Sequence, residues 1–244
     1  MSSKPKIVLV PGAWITPAFY DRLQSCLSER GLDSVAVQHQ STGAEPPIKT
    51  LEDDVSQLRG TLEQLCDAGS DVIVAAHSYG GVVSSGAVLG LDKTTRQSQG
   101  KSGGVVMIVY MVAFVLQKGD SLIGATGGQL LPWIKAEGGY AYNQIGPEGA
   151  YHDLPPSERA QWTAALTHTC TSVFSGTVSY EPWHVIPTAY IMGEEDQMLP
   201  MAFQEHMVGI LGTSRIYRLK TSHHPFLSMP PEVTNILEEL SNNV

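Results

Sequence analysis

The sequence predicts an α/β protein, with a mostly parallel central sheet, helices on both faces and an inserted cap. Three observations carry that expectation. Nearly continuous apolar runs, such as "KIVLV" at 6–10 and "GVVMIVYMVAFV" at 104–115, alternate with helical patterns. Strands that are apolar on both sides belong inside a parallel sheet covered by helices. The alternation lapses between about 116 and 186 and then resumes. One apolar run, "DVIVAAH", also stops at Ser78 and passes straight into Gly80 and Gly81, so that a buried strand presents a hydroxyl at its tip.

Each element has a local reason. The first strand, 6–10, ends at Pro11-Gly12, and Thr16-Pro17 then marks a helix start, because a proline at the first helical position forfeits no hydrogen bond. That helix runs to Gly31. A second strand is expected over 33–38, followed by a polar loop and a helix capped by Thr50. In this helix Leu51, Val55, Leu58, Leu62 and Leu65 step by four, three, four and three, one face of an amphipathic helix. Gly69 ends it, the strand 72–76 follows, and "VVSSGAVLGL" reads as a buried helix. The mildly basic "DKTTRQSQGK" at 92–101 reads as a solvated loop before the strand 104–115. After the lapse come the strand "TAYIM", the helix "PMAFQEHMVGI", the strand "SRIYRLK" and the helix "PEVTNILEEL". The expected organisation is a core formed by 1–115 and 187–244, with a cap insertion at 116–186.

A net charge of −9 argues against nucleic acid or an anionic membrane surface as partner, since both need clustered Lys and Arg. No run approaches the ~20 apolar residues of a membrane span, and the N-terminal run is too short for a signal sequence. Cys26, Cys66 and Cys170 form no CxxC pair and fit reduced thiols. The expectation is a cytoplasmic protein, monomer or homodimer, acting on a small-molecule substrate without metal or cofactor.

Ala76-His77-Ser78-Tyr79-Gly80 matches the sharp strand-to-helix turn G-x-S-x-G, with alanine in the first small position. A serine hydroxyl needs a histidine to become a nucleophile, and the histidine needs a carboxylate to orient it. Glu194, Glu195 and Asp196 follow one later strand, and His223 and His224 follow the next. The order serine, acid, histidine, each just after a strand, points to nucleophilic hydrolysis.

These motifs resemble the α/β-hydrolase superfamily, and within it the branch of plant salicylate-type methylesterases and hydroxynitrile lyases with their microbial and fungal relatives. The resemblance runs through "IVLVPGAW", "AAHSYGG", "VYMVAF", "YIMGEEDQMLP" and "SHHPFLSMPPEV". It implies the α/β-hydrolase fold and selects Asp196, four residues before Pro200. It also implies His223 through the form S-H-x-P-F-L-S, although His224 also lies seven residues before a proline. The backbone N–H groups of Ala13 and Tyr79 are the implied oxyanion hole. Pro11 and Ile15 stand where relatives carry histidines. Gly12 and His224 stand where hydroxynitrile lyases carry threonine and lysine, which disfavours cyanohydrin cleavage.

The expected activity is a carboxylic-ester hydrolase, esterase- or lactonase-like, forming an acyl-enzyme on Ser78. Its substrate is expected to be a small apolar or aromatic ester or lactone of the secondary-metabolite kind. The alternatives are a lyase, a carbon–carbon bond-cleaving or biosynthetic enzyme with the same three residues, or a low-turnover ligand binder. Expected pocket residues are Gly12, Trp14, Ile15 and His224 from the core and Trp133, Trp162 and Trp183 from the cap, which also carries Tyr140, Tyr142, Tyr151 and Phe174.

Overall fold

A computed structural model describes residues 4–244; Met1–Ser3, where the segment read for a signal sequence begins, lie outside the described residues. The chain opens with β1 (Lys6–Val10), a 3₁₀ turn (Pro17–Tyr20) leading into α1 (Asp21–Glu29), and β2 (Ser34–Ala36). It continues with α2 (Leu51–Asp67), β3 (Asp71–His77), α3 (Gly80–Ala87), α4 (Lys93–Ser98) and β4 (Gly104–Met111). Next come α5 (Leu122–Ala125), β5 (Ile134–Glu137), β6 (Tyr140–Asn143), α6 (Gly146–Tyr151), α7 (Pro156–Ala164) and β7 (Thr169–Cys170). The chain closes with β8 (Thr188–Gly193), α8 (Met201–Leu211), β9 (Ile216–Leu219), α9 (Pro225–Ser228) and α10 (Pro230–Ser241).

Six strands form one parallel sheet in the order β2-β1-β3-β4-β8-β9. Consecutive residues of β1, β3, β4 and β8 are buried. Successive side chains point to opposite faces, so both faces are covered. Helices do the covering, α1 packing with α10 and α2 with α3. Each fully buried Val, Leu or Ile contributes roughly 1.5–3 kcal/mol, which makes this sheet the rigid platform beneath the loops at its carboxyl edge.

Thr50 does cap α2. Its Oγ1 accepts from the Asp53 N–H at 3.4 Å, and Asp53 Oδ2 accepts from the Thr50 N–H at 2.9 Å, a reciprocal capping box. The buried face of α2 is Leu51, Asp54, Leu58, Leu62 and Cys66, so the apolar stripe also carries a carboxylate inward.

Several expected elements differ. The strand expected over 33–38 pairs only at Ser34–Ala36. The strand expected to reach Val115 stops at Met111, because Val112 turns with φ +45° and the following residues bend toward β3. The Phe114 N–H then donates to the Ser78 carbonyl at 3.1 Å. The stretch 92–101 is not a solvated loop: Asp92 caps α4, accepting the Thr95 N–H at 2.8 Å, and Arg96 is buried. Its guanidinium donates to the Gly103 carbonyl at 2.6 Å and to Asp67 at 2.7 Å. Cys26 is half-buried, whereas Cys66 and Cys170 are buried, and all three are free thiols. Between β4 and β8 lies a three-stranded antiparallel sheet, β5-β6-β7, that the sequence reading lacked. Among the described residues no helix is long and apolar enough to cross a membrane.

Candidate active site

The carboxyl ends of β1, β3, β8 and β9 deliver four loops to one place. At the end of β3, Ser78 is held at φ +51°, a left-handed conformation costly for any residue with a Cβ. The turn fits because its neighbours are small. A Cβ on Gly80 would lie 2.6 Å from the carbonyl oxygens of Val10 and Pro11, and one on Gly12 would lie 2.9 Å from His77 Nδ1. Close backbone approach thus sets the first loop against the serine.

The Ser78 hydroxyl lies 3.0 Å from His223 Nε2, and His223 Nδ1 lies 2.7 Å from Asp196 Oδ2. A carboxylate only accepts, so Nδ1 carries the proton and Nε2 presents a lone pair to the hydroxyl. Asp196 is buried and is itself fixed: its Oδ1 accepts the N–H groups of Met198 at 2.7 Å and Leu199 at 3.0 Å. His224, the neighbouring candidate, points elsewhere. Its ring stacks on Tyr151 with centroids 4.7 Å apart, and its Nδ1–H donates to the Ala150 carbonyl at 3.3 Å.

Buried imidazoles surround His223. His77 donates from Nε2 to the His223 carbonyl at 2.8 Å, tying the elbow to the histidine loop. Burial, reinforced by the two neighbouring histidines, holds the His77 pKa well below the ordinary histidine value. Burial brings His224 down to about 3, so both rings stay neutral near pH 7. His39 donates to the Pro11 carbonyl at 2.8 Å and is also lowered by burial.

Beneath the elbow, Asp54 accepts the Tyr79 hydroxyl at 2.8 Å, the Ser41 hydroxyl at 2.6 Å and the Ser41 N–H at 2.9 Å. Burial, then the Asp54 charge, pushes the Tyr79 phenol well above its usual range, so it keeps its proton and donates. The N–H groups of Ala13 and Tyr79 have no hydrogen-bond acceptor among the described residues. Both residues line the cavity that reaches Ser78.

That cavity encloses about 480 Å³ including its open mouth. Trp14, Phe114, Met198 and Leu199 line it from the loops above the sheet. Leu122, Ile123, Leu130, Leu131, Trp133, Ile134 and Phe174 line it from the segment between β4 and β8. No Asp, Glu, Lys or Arg is among its walls. Of the expected pocket residues, Trp14 and Trp133 are there, their rings 5.6 Å apart. Gly12 and Ile15 are buried behind the wall, Trp162 packs on Phe19 at 4.7 Å and Trp183 lies beside His184 at 5.8 Å. These four and His224 do not line the cavity. The sequence reading missed Met198 and Leu199, although they follow Asp196 directly, and the leucines at 122, 130 and 131, which carry no motif. No group of three or more His, Cys, Asp or Glu side chains is arranged to hold a metal ion among the described residues.

A hydroxyl, an imidazole and a carboxylate so linked can make the hydroxyl nucleophilic, and the apolar walls suit a neutral ligand. The chain is similar to known proteins over most of its length. A model described as "Alpha/beta hydrolase family" matches residues 7–236. Alpha/beta hydrolase nvfD of Aspergillus novofumigatus is 29% identical over 241 residues, covering 96% of this chain and 95% of that one. Methylesterase 7 of Arabidopsis thaliana is 25% identical, covering 99% and 98%. The crystal structure of tomato methylketone synthase I with 2-tridecanone superposes with TM-score 0.78 at 19% identity, covering 98% of both chains.

Proposed function

The chain belongs to the alpha/beta hydrolase family, and from that premise we propose that it is a carboxylic-ester hydrolase of the esterase or lactonase kind. The observation that carries this reading is the hydrogen-bonded run from Ser78 Oγ through His223 to Asp196, at 3.0 and 2.7 Å. In this reaction His223 Nε2 takes the Ser78 proton as Oγ attacks the ester carbonyl. Asp196 holds the ring in the correct tautomer and stabilises the imidazolium that forms.

The free N–H groups of Ala13 and Tyr79 stabilise the developing oxyanion. His223 then protonates the leaving alcohol, and an acyl-enzyme remains on Ser78. Water, deprotonated by His223, attacks the acyl carbonyl; Ser78 recovers its proton and the acid leaves. The residues between about 116 and 186 act as a cap, because their apolar side chains roof the cavity. The absence of ionised side chains from the walls supports a small, neutral, apolar or aromatic ester or lactone as substrate. The methylesterase relative supports the same choice.

The test combines a fluorophosphonate probe with p-nitrophenyl acetate. Rapid labelling abolished in Ser78→Ala, with turnover lost in His223→Ala and retained in His224→Asn, is the expected result. A folded protein that the probe does not label contradicts the hydrolase and favours a ligand binder. Labelling of Ser78 without ester turnover favours a lyase or carbon–carbon chemistry.

A further inference from the structure

One carboxylate stands close to the reacting residues without a part in that mechanism. Asp153 lies between α6 and α7, far in sequence from the histidine loop that it contacts. Its Oδ2 accepts the Thr221 hydroxyl at 2.8 Å and the Ser222 N–H at 2.9 Å, and its Oδ1 lies 2.6 Å from the Ser222 hydroxyl. Its neighbours grip the same loop. The Ala150 carbonyl lies 3.0 Å from Ser222 Oγ and 3.3 Å from His224 Nδ1, and Tyr151 stacks on His224. His152 reaches the acid loop instead, its Nε2 lying 3.6 Å from Glu195. Four consecutive residues, Ala150–Asp153, therefore touch the loops that carry both His223 and Asp196.

We propose that Asp153 is a positioning residue, fixing Thr221 and Ser222 so that His223 stays within hydrogen-bonding reach of Ser78. The role rests on the ester-hydrolase reading for its consequence, but its geometry stands apart from that chemistry. Beyond β9 the loop from 220 to 224 keeps one backbone bond to the acid loop, from the Glu195 N–H to the Thr221 carbonyl at 3.2 Å, and side chains add the rest of its anchorage. Thr221 Oγ1 and the Ser222 N–H and Oγ all converge on one acceptor-only group. A carboxylate satisfies all three and a methyl group none; an amide can keep them in part, its oxygen in the place of Oδ2 and its NH₂ donating to Ser222 Oγ while that hydroxyl donates to the Ala150 carbonyl. Burial disfavours the charged form, but the bonds from Ser222 and Thr221 outweigh it and keep the carboxyl below its usual range. Small displacements of a general base are costly, since a shift of about 1 Å can lower a rate about 100-fold.

The experiment compares wild type with Asp153→Ala and Asp153→Asn by the low-field proton resonance of His223 Nδ1–H, which reports its bond to Asp196 without any turnover. Turnover of p-nitrophenyl acetate is measured alongside. The expected result is a resonance broadened or lost in Asp153→Ala and recovered in part in Asp153→Asn. With it, kcat should fall about 10- to 100-fold while KM changes little. An unchanged resonance in folded Asp153→Ala overturns the proposal, whatever turnover does. Should Asp153→Ala fail to fold, Ser222→Ala removes the 2.6 Å contact from the other side and is judged by the same resonance. If wild type hydrolyses no ester, the functional reading fails while the resonance still decides the role of Asp153.

Discussion

Acidification should weaken this protein through its buried histidines, His77 and His224 above all, before its carboxylates matter. His77 and His224 are buried, and burial holds both below the ordinary value of 6.5, His77 well below it and His224 at about 3. Between the folded and unfolded values, the unfolded chain takes up protons that the native state refuses. Stability is therefore full above about pH 6.5 and declines as pH falls toward the folded values.

One unit below 6.5, at pH 5.5, each histidine costs about 1.4 kcal/mol relative to pH 8, or about 3 kcal/mol for the pair. For a chain of this length that corresponds to a fall of about 6–12 °C in melting temperature. Protonation also leaves His77 Nδ1, already without a partner, as a donor with no acceptor. The lowered carboxylates, such as Asp153, act only nearer their own unfolded value of about 4, below this window.

The assay is urea or thermal unfolding at pH 8 and 5.5 in wild type and in His224→Phe, whose ring replaces one aromatic among Phe19, Tyr151 and Phe226. The variant should lose about a third to a half of the pH dependence, the remainder resting on His77 and His39. A wild-type stability that stays flat over this range, or an undiminished dependence in the variant, refutes the reasoning.

Two further outcomes follow from single contacts. Gly12→Ala places a Cβ 2.9 Å from His77 Nδ1 and 3.0 Å from Ser78 Cβ. It should cost about 1–3 kcal/mol in urea unfolding and lower ester turnover at least tenfold; full activity would contradict the close approach assigned to this loop. Asp54→Ala leaves the Tyr79 hydroxyl and both Ser41 donors without their acceptor, a loss of about 3 kcal/mol or more by chemical denaturation. A change under about 1 kcal/mol would mean that this buried network adds nothing.

The residues that meet at Ser78 were legible because each follows a strand whose apolar run is plain in the sequence. What the sequence reading missed depends on partners far along the chain. Arg96 looked like surface charge, yet Asp67 and the Gly103 carbonyl draw it inward. Asp54 and Asp153 carry no motif in the sequence, because only tertiary packing brings Ser41, Tyr79 and Ser222 to them. The strands β5, β6 and β7 hold four, four and two residues, too few for an alternating pattern to stand out. Trp162 and Trp183 show the same limit from the other side: aromatic character marks a residue for burial but does not say against what. The choice of His223 over His224 came from the motif, and the geometry gives its physical content, since only His223 faces both a hydroxyl and a carboxylate.

The most direct test of the proposed chemistry is mass spectrometry of enzyme quenched in acid during turnover of a slowly hydrolysed p-nitrophenyl ester. The account predicts a mass increase equal to the acyl group, mapped to Ser78 and absent from Ser78→Ala. Ester turnover that persists in Ser78→Ala, with no acyl mass on that serine in wild type, would contradict it.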